Sequence, residues 1–252
     1  MLPVRARNEL ARLAIAIDVP NTCGRPRKLT TIDAIDRIFH VCRTGCQWAE
    51  LPCPPRVSYK TVYHRFNMLS RQRIFEDAFY NLSTAYRIAN PMLPLVADTS
   101  YIKNVCGRDV IGRNHTDRGR LATKASLLSD SRSVPIAFAF HKGNRNDCNT
   151  LSHLLDTAAR KTRHNLGAHR LLYADKGYDS QACRNSCIRH GLIPRIPRRM
   201  TDETWSSVRC AVEVTFGRLD RFRRIIVRYD FGIRTFKSFH YLASLCLVAR
   251  AL

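Results

Sequence analysis

Residues 95–98 read LVAD and residues 172–175 read LYAD, so one pattern occurs twice, far apart in the chain. In each case a short apolar run of the kind that forms a buried strand leads into an aspartate. Open α/β sheets place their ligand sites beyond the carboxyl ends of the strands. If the two strands are neighbours, Asp98 and Asp175 therefore lie close together in the folded protein.

Two converging carboxylates repel each other, which raises their pKa values and costs stability unless a cation neutralises them. Oxygen ligands of this type suit Mg²⁺, which also binds phosphate readily. Position alone leaves an alternative open, because aspartate is also a common turn and helix-cap residue. The sequence thus favours a paired-carboxylate metal site at Asp98 and Asp175 as one hypothesis, with two unrelated structural aspartates as the other.

Outward from these stretches, strand-like and helix-like segments alternate after Pro94. Apolar runs bounded by turn residues predict strands over 95–97, 122–128, 134–140, 170–174 and 192–196. Apolar residues at helical spacing predict helices over 151–161 and 180–190. They also predict a long Arg-rich helix over 204–227, in which Gly217 is the point where a break could fall. This alternation predicts an α/β layer structure.

The part of the chain before Pro91 has a helical pattern instead. Apolar residues at helical spacing predict helices over 31–43, 59–69 and 73–86. The second of these carries Lys60, Tyr63, His64 and Arg65 on its polar face. A helix, a turn and a helix with a basic face suit insertion into a major groove. A plain helical bundle with a solvated charged face explains the same pattern, so both interpretations stay open for this segment.

The charge balance points to a polyanionic partner. The chain has 42 Lys and Arg residues against 20 Asp and Glu residues, a formal net charge of +22, and 45% hydrophobic residues. That apolar content indicates a globular protein rather than a disordered polycation. A net charge this large favours contacts with nucleic acid that release counterions. The alternative is a basic protein of another kind, such as a ribosome-associated factor.

Two other classes of protein fit the sequence less well. Three arginines interrupt residues 1–16, so this segment is expected to be neither a signal peptide nor a membrane anchor. Cys42 and Cys46, and likewise Cys183 and Cys187, are four residues apart, a spacing that could place zinc ligands on one helix face. Structural zinc sites favour tighter C-x-x-C pairs, so ordinary reduced cysteines are expected instead.

A third acid would complete a metal site, and the last third of the chain offers two glutamates. Glu203 lies in a polar stretch where helix capping and the helix dipole explain it. Glu213 lies among apolar residues, where an unpaired carboxylate would be costly. Arg209 is four residues earlier, on the same helix face, and could supply the partner, as could a metal. A simple surface pair between Arg209 and Glu213 is the remaining alternative.

Taken in order, these segments resemble the transposases of the insertion sequence 5 family, which carry the DDE catalytic triad. The resemblance spans nearly the whole chain, and it depends on several short blocks that occur in the family's order. These blocks are GRPR (24–27), VCRTGCQW (41–48), LP (51–52), YKTVYHRF (59–66), ADTS (97–100), ADKGYDS (174–180), and the segment from Val212-Glu213 through FRR (222–224) to RYD (228–230).

By this resemblance Asp98, Asp175 and Glu213 match the three acids of the triad and would hold the metal ions, with Arg209 orienting Glu213 or a phosphate. The implied fold is an RNase H-like mixed sheet flanked by helices, with Asp98 on the first strand, Asp175 after the fourth and Glu213 on a later helix. The implied cofactor is Mg²⁺, with Mn²⁺ as a substitute. The implied reaction is cleavage of DNA at element ends followed by strand transfer into target DNA.

The resemblance also sets the expected organisation and partners. Residues 1–90 are expected to form a helical, helix-turn-helix-like DNA-binding region, and residues 91–252 the catalytic domain. Double-stranded DNA, both terminal inverted repeats and target DNA, is the expected partner of a homo-oligomer in a bacterial nucleoid, within the cytoplasm and without a membrane. The expected DNA contacts are Lys60, His64, Arg65, Arg218, Arg221, Arg223 and Arg224.

Two positions depart from the family pattern. Related transposases place Tyr, Arg, Glu and Lys at set intervals on the last helix, whereas Ser206 stands at the Tyr position and Asp220 at the Lys position. An acid in place of a phosphate-binding cation weakens the local hold on DNA, for which the neighbouring arginines could compensate. These departures leave open a catalytically impaired or repurposed DNA-binding protein. A nuclease that cuts DNA without joining it is a further alternative.

Overall fold

The structure of the protein, a computed structural model, describes residues 1–18, 29–162, 166, 169–200 and 206–252. The GRPR block and Glu203 lie outside the described residues. None of the described helices is both long and apolar enough to cross a membrane. These helices are α1 (Val4–Ala16), α2 (Thr31–Thr44), α3 (Tyr59–Arg71), α4 (Ile74–Ala89), α5 (Cys148–Thr162), α6 (Gln181–Arg189), α7 (Ser206–Leu219), α8 (Arg223–Ile226) and α9 (Ile233–Ala251).

One mixed sheet forms the centre of the molecule. Its main strands lie in the order β4, β3, β1, β5, β6; β1, β3 and β4 are antiparallel, whereas β5 and β6 run parallel to β1. This is the arrangement of an RNase H-like sheet, so the predicted α/β fold class is confirmed. The strands are β1 (Leu95–Asn104), β2 (Gly112–Asn114), β3 (Arg120–Asp130), β4 (Pro135–Lys142), β5 (Arg170–Tyr173), β6 (Leu192–Arg195) and β7 (Val227–Arg228).

Strand β1 is much longer than the predicted 95–97. It pairs with β3 from the Leu95–Asp130 pair to the Lys103–Ala122 pair, and these backbone hydrogen bonds keep it extended. Asp98 therefore lies within the strand, opposite Leu127, and the predicted end of this strand at residue 97 is wrong.

The predicted helix over 204–227 is two helices, α7 and α8. The break falls at residues 220–222 and not at Gly217, which lies within α7. The side chain of Phe222 is 1% exposed, and its ring meets the edge of Phe39 in α2 at 6.1 Å between centroids. Residue 222 has an extended backbone. Burying this ring against α2 thus requires the chain to leave the helix.

Helices α1 and α9 are absent from the sequence-based prediction. Helix α9 has buried residues on all sides, so it lacks the one-sided apolar stripe by which a surface helix is recognised. Its Phe239 ring stacks on Phe66 of α3 at 4.5 Å between centroids. Through α9, a single hydrophobic core runs from the N-terminal helices to the sheet.

The three N-terminal helices predicted from the pattern are confirmed as α2, α3 and α4. Helix α2 begins at the N-cap Thr30, whose hydroxyl accepts a hydrogen bond from the Asp33 N–H, and ends at Gly45. Gly45 has a φ of +72°, and a Cβ there would lie 2.9 Å from the Cβ of Arg223, so glycine is required twice over. Residues 45–58 separate α2 from α3, a connection longer than the short turn of a helix-turn-helix motif.

A buried histidine makes the core sensitive to acid. His240 of α9 is 5% exposed, and neither ring nitrogen has a hydrogen-bond partner among the described residues. Its ring lies against Phe138, Phe140 and Phe236, with centroids 5.9, 4.9 and 4.7 Å away. Burial lowers the pKa of the His240 imidazole to about 3. In the unfolded chain this side chain titrates near its ordinary pKa of about 6.5.

Since the unfolded state takes up this proton first, stability falls as the pH drops below about 6.5, down to about 3. The wild type is expected to lose unfolding free energy between pH 7.5 and pH 4.5. We expect this loss to be smaller by about 2–3 kcal/mol in His240→Phe and in His240→Leu. Urea unfolding of the wild type and both variants at the two pH values measures this. An unchanged pH dependence in both variants would show that His240 does not carry the effect.

Candidate active site

The parallel pairing of β1 and β5 brings the two aspartates to the same level of the sheet. Val96 pairs with Tyr173 in the parallel register. Two residues further along each chain are Asp98 and Asp175. Because β5 ends at Tyr173, the chain carrying Asp175 turns away there, which opens the β5 side of β1 at Asp98. The predicted convergence of these two strands is confirmed.

A single guanidinium links the two carboxylates. Arg209 of α7 lies with Nη1 3.1 Å from Oδ1 of Asp175 and Nη2 3.9 Å from Oδ2 of Asp98. Helix α7 packs against β1 and β3, which places Arg209 over the end of β5. The Nε atom of Arg209 is buried and has no hydrogen-bond partner among the described residues. Arg209 thus supplies the positive charge that the paired aspartates need.

The environment of Asp98 favours the neutral acid more than that of an ordinary aspartate. Burial raises the pKa of its carboxyl, and the charges of Asp175 and Asp147 raise it further. The Thr99 N–H, which donates to Oδ1 at 2.7 Å, and the Arg209 charge lower it without cancelling the shift. A carboxylate held in this way is stabilised by any added cation.

Glu213 does not join the aspartates in this arrangement. It is exposed on α7, and within the described ranges it forms no ion pair with Arg209. The inference that Glu213 has an apolar setting is wrong, because Ala211 and Val212 turn towards the sheet while Glu213 faces outward. In the part of the chain that the structure describes, no three His, Cys, Asp or Glu side chains are grouped closely enough to hold a metal.

The chemistry of the two aspartates nevertheless fits a divalent cation. Both offer carboxylate oxygens to a single positive charge, and Asp175 keeps 46% of its side chain exposed. Asp98 is held on a strand and Asp175 directly after one, so the pair is well fixed. Mg²⁺ needs few protein ligands, since it retains several waters. These two residues could therefore hold one ion beside β1, where β5 ends.

A second polar cluster beside Asp98 escaped the sequence analysis. Asp147 accepts hydrogen bonds from Thr99 Oγ1 and from Lys124 Nζ, each at 2.8 Å. Lys124 is 1% exposed, and its Nζ also donates to the Arg145 carbonyl at 2.7 Å. A lysine within the apolar strand 122–128 was the available signal, because a buried lysine requires a partner. This cluster fastens β1 and β3 to the segment that leads into α5.

The candidate DNA contacts of α3 differ in exposure and in their partners within the protein. Lys60 and His64 are exposed. Arg65 is ion-paired with Asp18, and its guanidinium also donates to Thr31 Oγ1 at 3.1 Å. Both side chains of the ion pair are only 15% exposed. Arg65 therefore joins α3 to the segments beside α1 and α2, and its assignment as a DNA contact is replaced by this structural role.

The arginine cluster of residues 218–224 is divided in the same way. Arg218, Arg221 and Arg223 are exposed. Arg224 is buried, donates to Asp230 Oδ1 at 3.1 Å, and has its guanidinium carbon 5.3 Å from the centre of the Phe239 ring. Its expected role in DNA contact is wrong, since the guanidinium is used inside the protein.

Two models of known protein families match this chain. A family model described as "Transposase DDE domain" matches residues 104–248, which is more than half of the chain. The chain belongs to this family. Asp175 and Glu213 lie inside the match, whereas Asp98 precedes it by six residues. A second model, "Putative transposase of IS4/5 family", matches residues 8–79.

One named relative of this DDE-family protein matches about half of the chain. It is 35% identical over 129 residues to a protein of Burkholderia cepacia named "Putative transposase for insertion sequence element IS402". That alignment covers 49% of this chain and 61% of the relative, so the chain spans less than two thirds of the relative's length.

Two solved structures share low similarity with this DDE-family chain. A pre-cleavage Mos1 transpososome has a TM-score of 0.31 at 12% identity, covering 93% of this chain and 82% of that one. The catalytic domain of Mos1 mariner transposase has a TM-score of 0.32 at 11% identity, covering 73% and 94%. Both scores are low, so the fold assignment depends on the strand order and not on these neighbours.

The ion pairs of Arg209 can be measured in this DDE-family protein by double-mutant cycles without divalent ions. We expect Arg209→Ala and Asp175→Asn to show a coupling of about 0.5–1 kcal/mol in unfolding free energy, because the pair is close but partly exposed. Arg209→Ala and Glu213→Gln serve as the matched control and should couple more weakly. A stronger coupling to Glu213 than to Asp175 would contradict the observed arrangement.

Proposed function

We propose that this DDE-family protein is a transposase of the insertion sequence 5 group that cuts DNA at element ends and joins the freed 3′-end to target DNA. The observation that carries the proposal is the pair Asp98 and Asp175, one on β1 and the other just beyond the end of the parallel strand β5, linked by Arg209. Two fixed carboxylates beside a guanidinium suit phosphoryl transfer, in which positioning and charge neutralisation provide most of the catalysis.

Asp98 and Asp175 are the proposed metal ligands, with Glu213 as the third. A divalent ion held here, Mg²⁺ or in its place Mn²⁺, would activate the attacking oxygen and stabilise the leaving oxygen. The protein supplies the geometry: β1 and β5 hold the aspartates, and the Thr99 N–H fixes the Asp98 carboxylate. Glu213 is one helical turn from Arg209, so it needs a different side-chain direction to reach the same ion.

Arg209 has two proposed tasks. Without a cation it keeps the two aspartates from repelling each other. Its planar guanidinium also matches the oxygens of a phosphate, so it can hold the DNA backbone beside the aspartates. This replaces the expectation that Arg209 orients Glu213, because its partners are Asp175 and Asp98.

Double-stranded DNA is the proposed substrate, in the form of terminal inverted repeats and a target site. The net charge of +22 provides the long-range attraction. The exposed Lys60 and His64 of α3 are the proposed contacts of the N-terminal region with the repeats. Transposition brings two ends together, so we propose a homo-oligomer that acts on DNA in the bacterial nucleoid.

A second candidate is a repurposed DNA-binding protein that no longer cuts. Two observations favour it: Asp220 replaces the cation of the family pattern, and Glu213 is exposed and apart from the aspartates. Both candidates bind DNA, so only the chemistry distinguishes them.

Cleavage of an element-end duplex in Mg²⁺ is the direct test. We expect the wild type to nick it and Asp98→Asn to lose cleavage while binding the duplex with nearly the same affinity, since the substitution removes a ligand and no DNA-binding cation. Gel analysis of a labelled duplex measures cleavage, and anisotropy measures binding. Binding without nicking by the wild type supports the second candidate. Cleavage without joining of a free 3′-end indicates a nuclease.

The role of Glu213 can be separated from a general effect of charge on α7. We expect Glu213→Gln to slow cleavage by more than about a hundredfold, since even outer partners of metal ligands matter by 10–100-fold. Asp220→Asn, which removes an exposed carboxylate just beyond the same helix, is the control and should cleave at least as fast as the wild type. Equal rates for Glu213→Gln and wild type would remove Glu213 from the site.

A further inference from the structure

A cavity of about 400 Å³ lies away from the aspartates and is lined by five arginines. They come from separate parts of the chain: one from α2, one from the β3–β4 turn, one from the end of α7, one from the segment between α7 and α8, and one from α9. Within the described part of the chain, no acidic residue lines the cavity. The five are Arg43, Arg132, Arg218, Arg221 and Arg250.

Neutral groups contact three of these five side chains. Arg218 donates to the Ser133 carbonyl at 3.2 Å, and Arg132 donates to Asn90 Oδ1 at 3.0 Å. The guanidinium carbon of Arg43 lies 5.3 Å from the centre of the Phe222 ring, which lines the cavity. Among the residues that the structure describes, none of the five arginines forms an ion pair with a carboxylate. Their charges thus converge without internal neutralisation.

Two acids adjoin lining residues in the chain: Asp220, which is exposed and does not line the cavity, and Asp130, whose hydrogen bonds are already made. Asp130 is 1% exposed and accepts hydrogen bonds from the Tyr86 hydroxyl at 2.7 Å and from the N–H groups of Arg132 and Val134. It stabilises the turn and leaves the cavity positive. Five converging cations repel one another, and an anion that fits between them relieves this repulsion. Guanidinium groups match phosphate oxygens in particular.

Helix α7 relates the cavity to the active site. Arg209 at its start contacts the aspartates, and Arg218 near its end lines the cavity. Residues 209 and 218 are nine positions apart, and a rise of about 1.5 Å per residue separates them by about 14 Å along the axis of α7. Phosphates of one DNA strand are about 3.4 Å apart along the duplex axis, so this distance corresponds to about four base pairs.

We propose that the arginine-lined cavity binds backbone phosphates of the duplex that is cut at Asp98 and Asp175, about four base pairs from the cleavage site. This assignment rests on the proposed transposase function, and it adds a second, separate holding point for the same DNA. Such a contact fixes the register of the duplex along α7. It is independent of base sequence, because phosphates carry no sequence information.

The test uses the full chain in EDTA, so that binding is measured without cleavage. Arg43→Gln with Arg221→Gln removes two cavity charges. Arg113→Gln with Arg118→Gln is the matched control, because both residues are exposed at the opposite end of β3. Anisotropy of a labelled duplex measures the affinity between about 50 and 200 mM salt. The slope of log affinity against log salt should be reduced by about two in the cavity variant and unchanged in the control. Equal slopes for both variants overturn the proposal.

Neutral methylphosphonate groups locate the contact on the DNA. A methylphosphonate about four base pairs from the cleavage site should weaken binding of the wild type but leave the cavity variant unaffected. No effect of this group at any nearby position overturns the assignment to the duplex. Inorganic phosphate alone is the competing ligand: if it stabilises the wild type but not the cavity variant in a thermal melt, and the duplex slopes are equal, the cavity is a free-phosphate site.

These results are independent of the proposed chemistry. A wild type that binds DNA with the expected slopes but never cuts refutes the transposase activity and leaves the phosphate-binding cavity in place. A wild type that cuts while the cavity variant binds normally refutes the cavity alone. Unfolding curves of both double variants confirm that the substitutions leave the fold intact.

Discussion

Repulsion between two carboxylates is the constraint around which this molecule is arranged. Parallel pairing of β1 with β5 puts Asp98 and Asp175 at one level, and like charges that close cost stability. One guanidinium offsets this repulsion, and it comes from helix α7, which packs against β1 and β3. Strand register, the end of β5 and the position of α7 all serve this arrangement. The proposed metal site gives a reason for such a costly pair.

The large positive charge has two separate uses. Part of it is structural: Arg65 pairs with Asp18, Arg224 with Asp230, and the fully buried Arg228 with Asp109. These arginines fix loops and helices to the core. Many other basic side chains are exposed, and five of these line the arginine-lined cavity. A count of basic residues therefore overstates the surface available to the proposed DNA substrate, and only the burial of each guanidinium separates the two uses.

Sequence patterns predicted the sheet well and the site in part. Alternation and turn residues located the strands, and the repeated LVAD and LYAD pattern identified the two aspartates that meet. Helix α9 escaped because a helix buried on all sides has no polar face to reveal its period. The outward direction of Glu213 escaped because it depends on how α7 is rotated against the sheet. The partners of Arg209 and Arg65 are distant in the chain, and no local pattern encodes them.

Stacking of Phe239 on Phe66 has a mechanical consequence. Because α9 belongs to the same core as the sheet, α3 cannot swing relative to β1 without breaking that core. If a duplex contacts α3 and also reaches the aspartates, the distance between these two contacts would thus be fixed by a rigid protein core. The offset between the bases recognised and the bond broken would be set by the dimensions of the protein and not by the length of a linker.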